Sequence, residues 1–435
     1  MKSETNKKLW AIHNWVGLYV GLVIAILSVT GAFAVFIPEI DKLVHPDLLT
    51  VQPKAEKVSL DSTFLSLQHA YPDYTFNSLE LPQEENETWL FSFAKPSEAG
   101  GSERVQIPVN PYDGKELGEQ NIPNSLAFFM RQLHVRLYVS SYGRQIVGLA
   151  GIALLISTIT GFLIYGNFMK RQMFATIRRG KNLRIATADW HKAVGVSSLL
   201  FNFMIAGTGA WLGLQPVIMD WLDMRPPNTY QVESKPFSVE VDKALPLSFE
   251  KVLQRVNSEF PELAAERISP SKDGSGTITV VGNIPGTVYE RESSKLVLSK
   301  EHYLLKYKFD PRAASTGDQF YYIQEPLHFG DFGGLLLKFI YFVFGLTASA
   351  LSITGFYIFL KRKESKRLKK GGKSTAKIMV KYIAVVALSI ILICILSLNI
   401  SYSFAATVVN ATVYILLLFL LLRLIYQKLL KNEKT

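Results

Sequence analysis

Two stretches decide the fold: Leu9-Trp-Ala-Ile-His13-Asn-Trp-Val-Gly17 and Asp189-Trp-His191-Lys-Ala-Val-Gly195, each of which opens a long apolar run. In both stretches a glycine follows the histidine after four residues. A Thr-Gly pair then ends eighteen residues after the histidine, at Gly31 in the first run and at Gly209 in the second. Self-similarity at a fixed spacing indicates a duplicated unit.

A second pair of motifs extends the duplication. Leu133-His134 precedes Thr160-Gly161, and Leu327-His328 precedes Thr354-Gly355, with 27 residues from histidine to glycine in both cases. The chain therefore predicts two copies of a helix, external domain, helix unit, followed by two plain spans. Four of the seven histidines occupy equivalent places, whereas His45, His69 and His302 are expected to be exposed or structurally satisfied.

The composition excludes several classes of protein. Of 435 residues, 49% are hydrophobic and 19% are charged, against about 25% charged in a soluble domain. The net charge of +11 is concentrated in blocks beside apolar runs, which is typical of membrane topology rather than of nucleic-acid binding. The single cysteine, Cys394, excludes disulfides within the chain, Cys-ligated zinc, iron-sulfur clusters and covalent c-type haem.

Six apolar segments are long enough to cross a bilayer as helices. Lys and Arg crowd the segments after the second and fourth spans, so these loops and both termini are predicted to be cytoplasmic. The predicted order is a first transmembrane helix (residues 1–37), an external region (38–144) with a small α+β domain (about 57–118), a second helix (145–166), a basic loop (167–192), a third helix (193–214), a second external region (215–333) with its own domain (about 246–312), a fourth helix (334–360), a second basic loop (361–378) and a transmembrane hairpin (379–427).

The predicted topology limits how the four histidines pair. His13 and His191 open outward-running helices, whereas His134 and His328 precede inward-running helices. The permitted pairs are therefore His13 with His191 on the cytoplasmic side and His134 with His328 on the external side. Two neutral imidazoles without cysteine or a carboxylate cluster suit the axial positions of haem iron, whereas zinc prefers four ligands.

The four Thr-Gly steps are expected near these pairs. Eighteen residues make a whole number of helical turns, which places Gly31 and Gly209 near the external pair; Gly161 and Gly355 are expected near the cytoplasmic pair. Small residues let a flat macrocycle approach the backbone, although ordinary helix packing explains the same glycines equally well.

The interval of 27 residues is not a whole number of turns. We therefore expect a break in the helix between His134 and Gly161, with Gly143 as a plausible position. Haem propionates also need cationic partners. Arg131 and Arg144 near the external pair, and Arg184 and Lys192 near the cytoplasmic pair, are candidates that could equally be interfacial anchors.

These motifs together resemble the PepSY-associated transmembrane family over residues 1 to about 365. The resemblance rests on the opening around His13, the turn Val109-Asn-Pro-Tyr-Asp-Gly114, the Leu-His steps and the repeated Thr-Gly-Phe. It implies a multi-pass protein of the bacterial inner membrane with periplasmic PepSY-like domains. It also implies two b-type haems whose axial ligands are His13, His191, His134 and His328.

The leading hypothesis is an electron-transfer oxidoreductase, similar to haem-b-containing ferric-siderophore reductases, that reduces a ferric chelate in the periplasm. No catalytic residue distinct from the haem ligands is expected, and the donor is a reductase, a soluble carrier or a quinol. One alternative is a siderophore or haem permease, against which no span carries a charged residue at mid-bilayer. Another is a haem-free scaffold or regulator that acts through its PepSY-like domains.

Overall fold

The structure is a computed structural model that describes residues 3–97, 101–122, 125–138, 140–169, 176–178, 182–230, 247–271 and 275–368. The chain divides into two compact units. The helical unit comprises Met1–Phe36, Leu126–Ile218 and Leu335–Thr435, and the sheet unit comprises Ile37–Ser125 and Met219–Gly334. The predicted hairpin of residues 379–427 lies outside the described residues.

The elements are as follows in chain order. The helices are α1 (Ser3–Tyr19), α2 (Gly21–Ala34), α3 (Ile37–Val44), α4 (Pro46–Leu49), α5 (Leu60–Ala70), α6 (Leu126–Arg136), α7 (Ser140–Met169), α8 (Leu183–Ser197), α9 (Leu199–Trp221), α10 (Phe249–Glu259), α11 (Thr316–Phe329) and α12 (Gly334–Leu368). The strands are β1 (Thr75–Glu80), β2 (Trp89–Pro96), β3 (Ser102–Val109), β4 (Gln120–Asn121), β5 (Ala264–Pro270), β6 (Thr277–Asn283), β7 (Ser294–Ser299) and β8 (Leu305–Phe309).

Two apolar helices of the described chain are long enough to cross a membrane, Tyr142–Gly166 within α7 and Asp331–Arg362 around α12. Up to four spans result if α1 with α2, bent by 63°, and α8 with α9, bent by 67°, each count as one. The breaks fall at Val20 and Ser198, seven residues after the histidine in each copy of the repeat. Glycine and serine positions are common sites of helix kinks, and the Ser198 hydroxyl donates 2.8 Å to the Val194 carbonyl.

The first and third spans are therefore not the continuous helices expected from their hydropathy. Because of these bends, the interval of eighteen residues no longer places Gly31 and Gly209 on the faces of their own histidines. The break expected between His134 and Gly161 occurs at Leu137 and Tyr138, whose φ angles are 49° and 55°. It lies ahead of Gly143, which sits within α7.

Close approaches between backbones hold the helical unit together. A Cβ on Gly143 would lie 1.8 Å from the Arg136 carbonyl oxygen, so α6 folds back against the first turns of α7. A Cβ on Gly213 would lie 2.4 Å from the Cα of Gly148, which brings α9 against α7. Glycine at such positions permits the tight packing that stabilises helices in lipid.

The sheet unit contains one antiparallel sheet, rather than the two separate domains expected from the sequence. The strand order is β4-β3-β2-β1-β5-β6-β7-β8, and the halves join where Leu79 of β1 pairs with Ile268 of β5 and Glu80 pairs with Arg267. Pairing β1 with β5 leaves neither half with an exposed edge at the junction. Helices α5 and α10 contribute to one shared core, in which Phe64 packs edge-to-face on Phe249.

Side chains link the first turns of α5 and α10. Asp61 of α5 accepts hydrogen bonds from the Ser248 hydroxyl at 2.5 Å and from the Phe249 amide at 2.7 Å. In return, the Ser59 hydroxyl donates 2.6 Å to Glu250 of α10. Because unpaired amides at a helix N-terminus need acceptors, this exchange ties the two halves of the sheet unit together at a second point.

Candidate functional site

The His13 ring packs against the Thr160-Gly161 step of α7. Its Nδ1 lies 3.1 Å from the Ser157 carbonyl oxygen and 3.3 Å from the Thr160 hydroxyl. A Cβ on Gly161 would lie 3.1 Å from the His13 Cε1, a distance that few real side chains tolerate. Gly161 therefore makes room for the imidazole itself, which explains why a glycine stands there.

The His191 ring has the same surroundings on α12. Its Nδ1 lies 2.9 Å from the Thr354 hydroxyl, and the Leu351 carbonyl also hydrogen-bonds the ring. A Cβ on Gly355 would lie 3.2 Å from the His191 Cε1. The second copy of the repeat thus reproduces the threonine and glycine contacts of the first.

The His134 ring occupies a third such position, on α2. Its Nδ1 lies 3.0 Å from the Leu27 carbonyl oxygen and 3.3 Å from the Thr30 hydroxyl. A Cβ on Gly31 would lie only 2.6 Å from the His134 Cε1. We call this arrangement the histidine cradle. It consists of the carbonyl four residues before a glycine and the threonine directly before that glycine, and both contact the histidine Nδ1.

The cradle fixes the tautomer of each histidine. A carbonyl oxygen can only accept a hydrogen bond, so Nδ1 must carry the ring proton and Nε2 keeps its lone pair. Within the described chain, no hydrogen bond engages the Nε2 of His13 or His191. Metal-binding histidines usually donate one ring N–H to a backbone carbonyl or carboxylate and bind the metal through the other ring nitrogen.

The structure brings His13 and His191 together. Their ring centroids are 6.4 Å apart, and the ring planes are inclined at 82°. When two imidazoles ligate one metal, each metal–nitrogen bond is about 2.0–2.1 Å long, and each Nε2 lies about 1.1 Å from its ring centre. The two ring centres are then about 6.3 Å apart. The observed separation therefore fits two axial ligands of one iron.

A cavity of about 290 Å³ surrounds this pair, which is close to the lower end of the range for cofactor sites. Its walls are mostly apolar and aromatic, including Trp10, Phe162 and Phe356, together with the glycines of both cradles. Among the described residues, no group of three or more His, Cys, Asp or Glu side chains could hold a bare metal ion. Two imidazoles in an apolar cavity instead fit a metal that brings its own equatorial ligands, as haem does.

Cationic side chains line one part of the cavity. Arg178, Lys192 and Arg362 all reach it, and the Arg362 guanidinium lies 5.1 Å from the centre of the Trp10 ring. The buried Asp189 carboxylate accepts from the Nε and Nη2 of Arg178 at 2.9 Å each, and the Lys192 Nζ lies 2.9 Å from its Oδ1. Asp189 therefore holds two of the three cations in place.

Of these three cations, only Lys192 was predicted from the sequence as a propionate partner; Arg178 and Arg362 were not. Both lie in basic segments that read as topology signals, and only folding brings them to the cavity. Arg184, which the sequence also suggested, is not among the residues that line it. The Arg144 Nε donates 2.9 Å to the Leu212 carbonyl, while Arg131 lies on α6 one turn before His134.

The two histidines of the predicted external pair belong to different units. His134 lies on α6 of the helical unit, and His328 lies on α11 of the sheet unit. Gly209 lies on α9. The pairing of His134 with His328 stays a prediction from the repeat.

Comparison with known proteins supports the family resemblance seen in the sequence. A family described as PepSY-associated TM region matches residues 10–362. The chain belongs to this PepSY-associated family. The family and the apolar helices together indicate a membrane protein.

An uncharacterized protein of Pseudomonas aeruginosa is 26% identical over 259 residues, which cover 54% of this chain and 63% of that relative. The match spans less than two thirds of the relative's length, and the relative's name carries no activity. The function of this PepSY-associated protein must therefore be argued from its own site.

Proposed function

We propose that this protein is an electron-transfer oxidoreductase of the bacterial inner membrane that reduces a ferric siderophore or a similar ferric chelate on the periplasmic side. The observation that carries the proposal is the pair of cradled histidines, His13 and His191, with ring centroids 6.4 Å apart. Their arrangement leaves both Nε2 atoms available to one metal in an apolar cavity.

At this inner site, His13 and His191 would hold a b-type haem, which would supply a one-electron redox centre. The Ser157 carbonyl and the Thr354 hydroxyl hold the rings by Nδ1, so neither imidazole needs to reorient for ligation. The apolar walls exclude water and keep the macrocycle in place without a covalent bond, as the lack of a haem-attachment motif requires.

The cations at the cavity are the partners of the two propionates. Arg178, Lys192 and Arg362 carry three positive charges, and Asp189 neutralises one of them. The remaining excess of two positive charges equals the charge of two carboxylates. Guanidinium groups are well suited to this role because they bind carboxylates through two parallel hydrogen bonds.

A second haem is proposed at the periplasmic side, with His134 and His328 as its ligands. The support is the repeat, in which these histidines occupy equivalent places, and the cradle that His134 shares with His13 and His191. Electrons delivered to this side convert Fe(III) to Fe(II), which binds hard oxygen chelators more weakly. The donor is a separate reductase, soluble carrier or quinol.

Haem content is the first test. We expect a reduced-minus-oxidised spectrum of b type and about two haems per chain by pyridine haemochrome, falling to about one in His13→Ala and in His191→Ala. His69→Ala, which changes an exposed histidine on α5, is the matched control and should keep both haems. A haem-free wild type, or unchanged haem content in His13→Ala, would reject the proposal and favour the permease or scaffold.

Electron delivery is tested by mixing dithionite-reduced protein, freed of excess reductant, with a ferric hydroxamate chelate. Haem reoxidation and Fe(II) capture by ferrozine should rise together. The gallium(III) form of the same chelate is the control, because it has the same shape but accepts no electron under these conditions. Equal reoxidation with both chelates would show that the chelate is not the acceptor.

A further inference from the structure

Arg291 contacts the end of α11 that carries His328. It lies in the connection between β6 and β7, and its Nε is 3.2 Å from Glu325 Oε1 while its Nη1 is 2.5 Å from Asp331 Oδ2. Its guanidinium carbon also lies 3.5 Å from the centre of the Phe329 ring. One side chain therefore makes two ion pairs and a cation–π contact around the last turn of α11.

These contacts bracket His328 along the chain. Glu325 precedes the histidine by three residues, and Asp331 follows it by three. Residues three apart on a helix lie on one face, so the ion pair between Arg291 and Glu325 constrains the turn that bears His328. The contact with Asp331 fixes the backbone on the other side, beyond the left-handed Gly330 at φ 70°.

The last turn of α11 is weakly held by its own backbone. Pro326 has no N–H and cannot donate to the carbonyl four residues earlier, a loss that bends or loosens a helix. The turn then ends at Gly330, whose amide donates 2.8 Å to the Pro326 carbonyl. The ion pairs of Arg291 with Glu325 and Asp331 therefore supplement the backbone hydrogen bonds at this end of α11.

The connection that presents Arg291 is itself firmly constrained. Arg291 and Glu292 have φ angles of 63° and 58°, in the left-handed region that side chains other than glycine rarely adopt. Glu292 pairs with Arg267 of β5, and its amide donates 2.8 Å to the Asn283 side chain. Strained backbone of this kind persists where the surroundings enforce it, and it is frequent at functional positions.

We propose that Arg291 is a positioning residue that fixes the orientation of His328 for ligation of the outer haem. This inference rests on the proposed function, since it takes His328 as a haem ligand. Arg291 would act through Glu325 and Asp331, which flank His328 within the sheet unit.

The test uses Arg291→Gln in the full chain, with Arg255→Gln as the matched control. Arg255 lies on α10 of the same unit, and among the described residues its ion pair is with Glu259 on its own helix. Hydrogen exchange over residues 316–329 reports on α11 without reference to haem, and we expect it to rise at least about tenfold in the last turn. In the His13→Ala background only the outer haem is expected to remain. There, Arg291→Gln should accelerate the transfer of this haem to apomyoglobin by about 10–100-fold.

A conservative variant separates positioning from general damage. Arg291→Lys keeps a positive charge beside both Glu325 and Asp331, so exchange and haem release should lie closer to wild type than in Arg291→Gln. Wild-type exchange in α11 together with wild-type haem release in Arg291→Gln would overturn the inference. A haem-free wild type would instead reject the proposed function, and exchange in α11 would still decide whether Arg291 holds the helix end.

Discussion

The histidine cradles of the helical unit and the two halves of the sheet unit arise from the same repeat, yet they preserve it at different levels. The cradles of His13 and His191 share two contacts, with Nδ1 beside a threonine hydroxyl and a glycine against the ring. The halves of the sheet match in strand order and in the helix that covers them, but their side chains differ.

The difference indicates which part of the repeat is constrained by chemistry. A ligand ring tolerates little displacement, so the cradle keeps the residue types and their spacing. A sheet half needs only alternating apolar residues on its covered face and a partner for each edge, which many sequences satisfy. Changes at the junction of the halves and in a cradle should therefore fail in different ways.

Proline at the junction should have the largest effect. Ile268→Pro removes a ladder amide in a central strand and a buried side chain that pairs with Leu79, which costs about 3 kcal/mol or more. Hydrogen exchange of β1 and β5 should rise together because each loses its partner. Lys306→Pro, at the register shift of edge strand β8, is the control and should leave β1 protected. Equal deprotection by both variants would contradict a single continuous sheet.

A methyl group in a cradle should act locally. In Gly31→Ala the new Cβ would lie 2.6 Å from His134 Cε1, so the ring must move and its carbonyl contact with Leu27 must lengthen. We expect outer-haem affinity to fall by about 10–100-fold while the inner haem is retained, as read by haem titration in the His13→Ala background. Gly207→Ala, which meets nothing within 4 Å, should bind like wild type. Loss of both haems would contradict independent cradles.

The histidine spacing was sufficient to predict which residues meet at the candidate site, but not why the glycines are there. The sequence suggested room for a macrocycle, whereas Gly161 and Gly355 make room for the rings of His13 and His191. The cations were only partly predictable. Asp189 gathers Arg178 from eleven residues earlier in the chain, and no local pattern marks that contact.

The small α+β domains of the two external regions were predictable from the sequence, and their joining into one sheet through β1 and β5 was not. The reason is physical. The junction pairs Leu79 with Ile268, which are far apart in the chain, so no local pattern in the sequence marks it, and each of the two strands also contains a register shift, at Asn77 in β1 and at Glu266 in β5. The bends at Val20 and Ser198 were missed because an apolar run gives no sign of its own kinks.

The two register shifts also differ in charge, although they stand at equivalent positions, each two residues before the pair formed by Leu79 and Ile268. Asn77 is neutral, whereas Glu266 is a carboxyl group. Burial, reinforced by the nearby charges of Glu292 and Glu290, raises the pKa of Glu266 from 4.5 to about 7. The second half of the sheet thus contains an acid that the first half lacks.

This raised pKa predicts a stability that falls as pH rises. Between pH 4.5 and 7 the folded state binds a proton that the unfolded state releases, so the free energy of unfolding decreases with pH and the full penalty is present above pH 7. Glu266→Gln removes the penalty and keeps an acceptor for the Asn283 side chain. We expect β5 and β6 to gain on the order of 2 kcal/mol at pH 8 and little at pH 5, measured by hydrogen exchange corrected for its intrinsic pH dependence.

The control for this prediction is Glu85→Gln, which changes an exposed carboxylate of the same unit and should alter stability at neither pH. If Glu266→Gln gave an equal gain at pH 5 and pH 8, ionisation of the Glu266 carboxyl group would not destabilise the folded protein. A gain confined to pH 8 would show that the two halves, alike in strand order, differ in their response to pH because of one residue at one register shift. The periodicity of the strands specifies the sheet, and the residues that break it carry the differences between its halves.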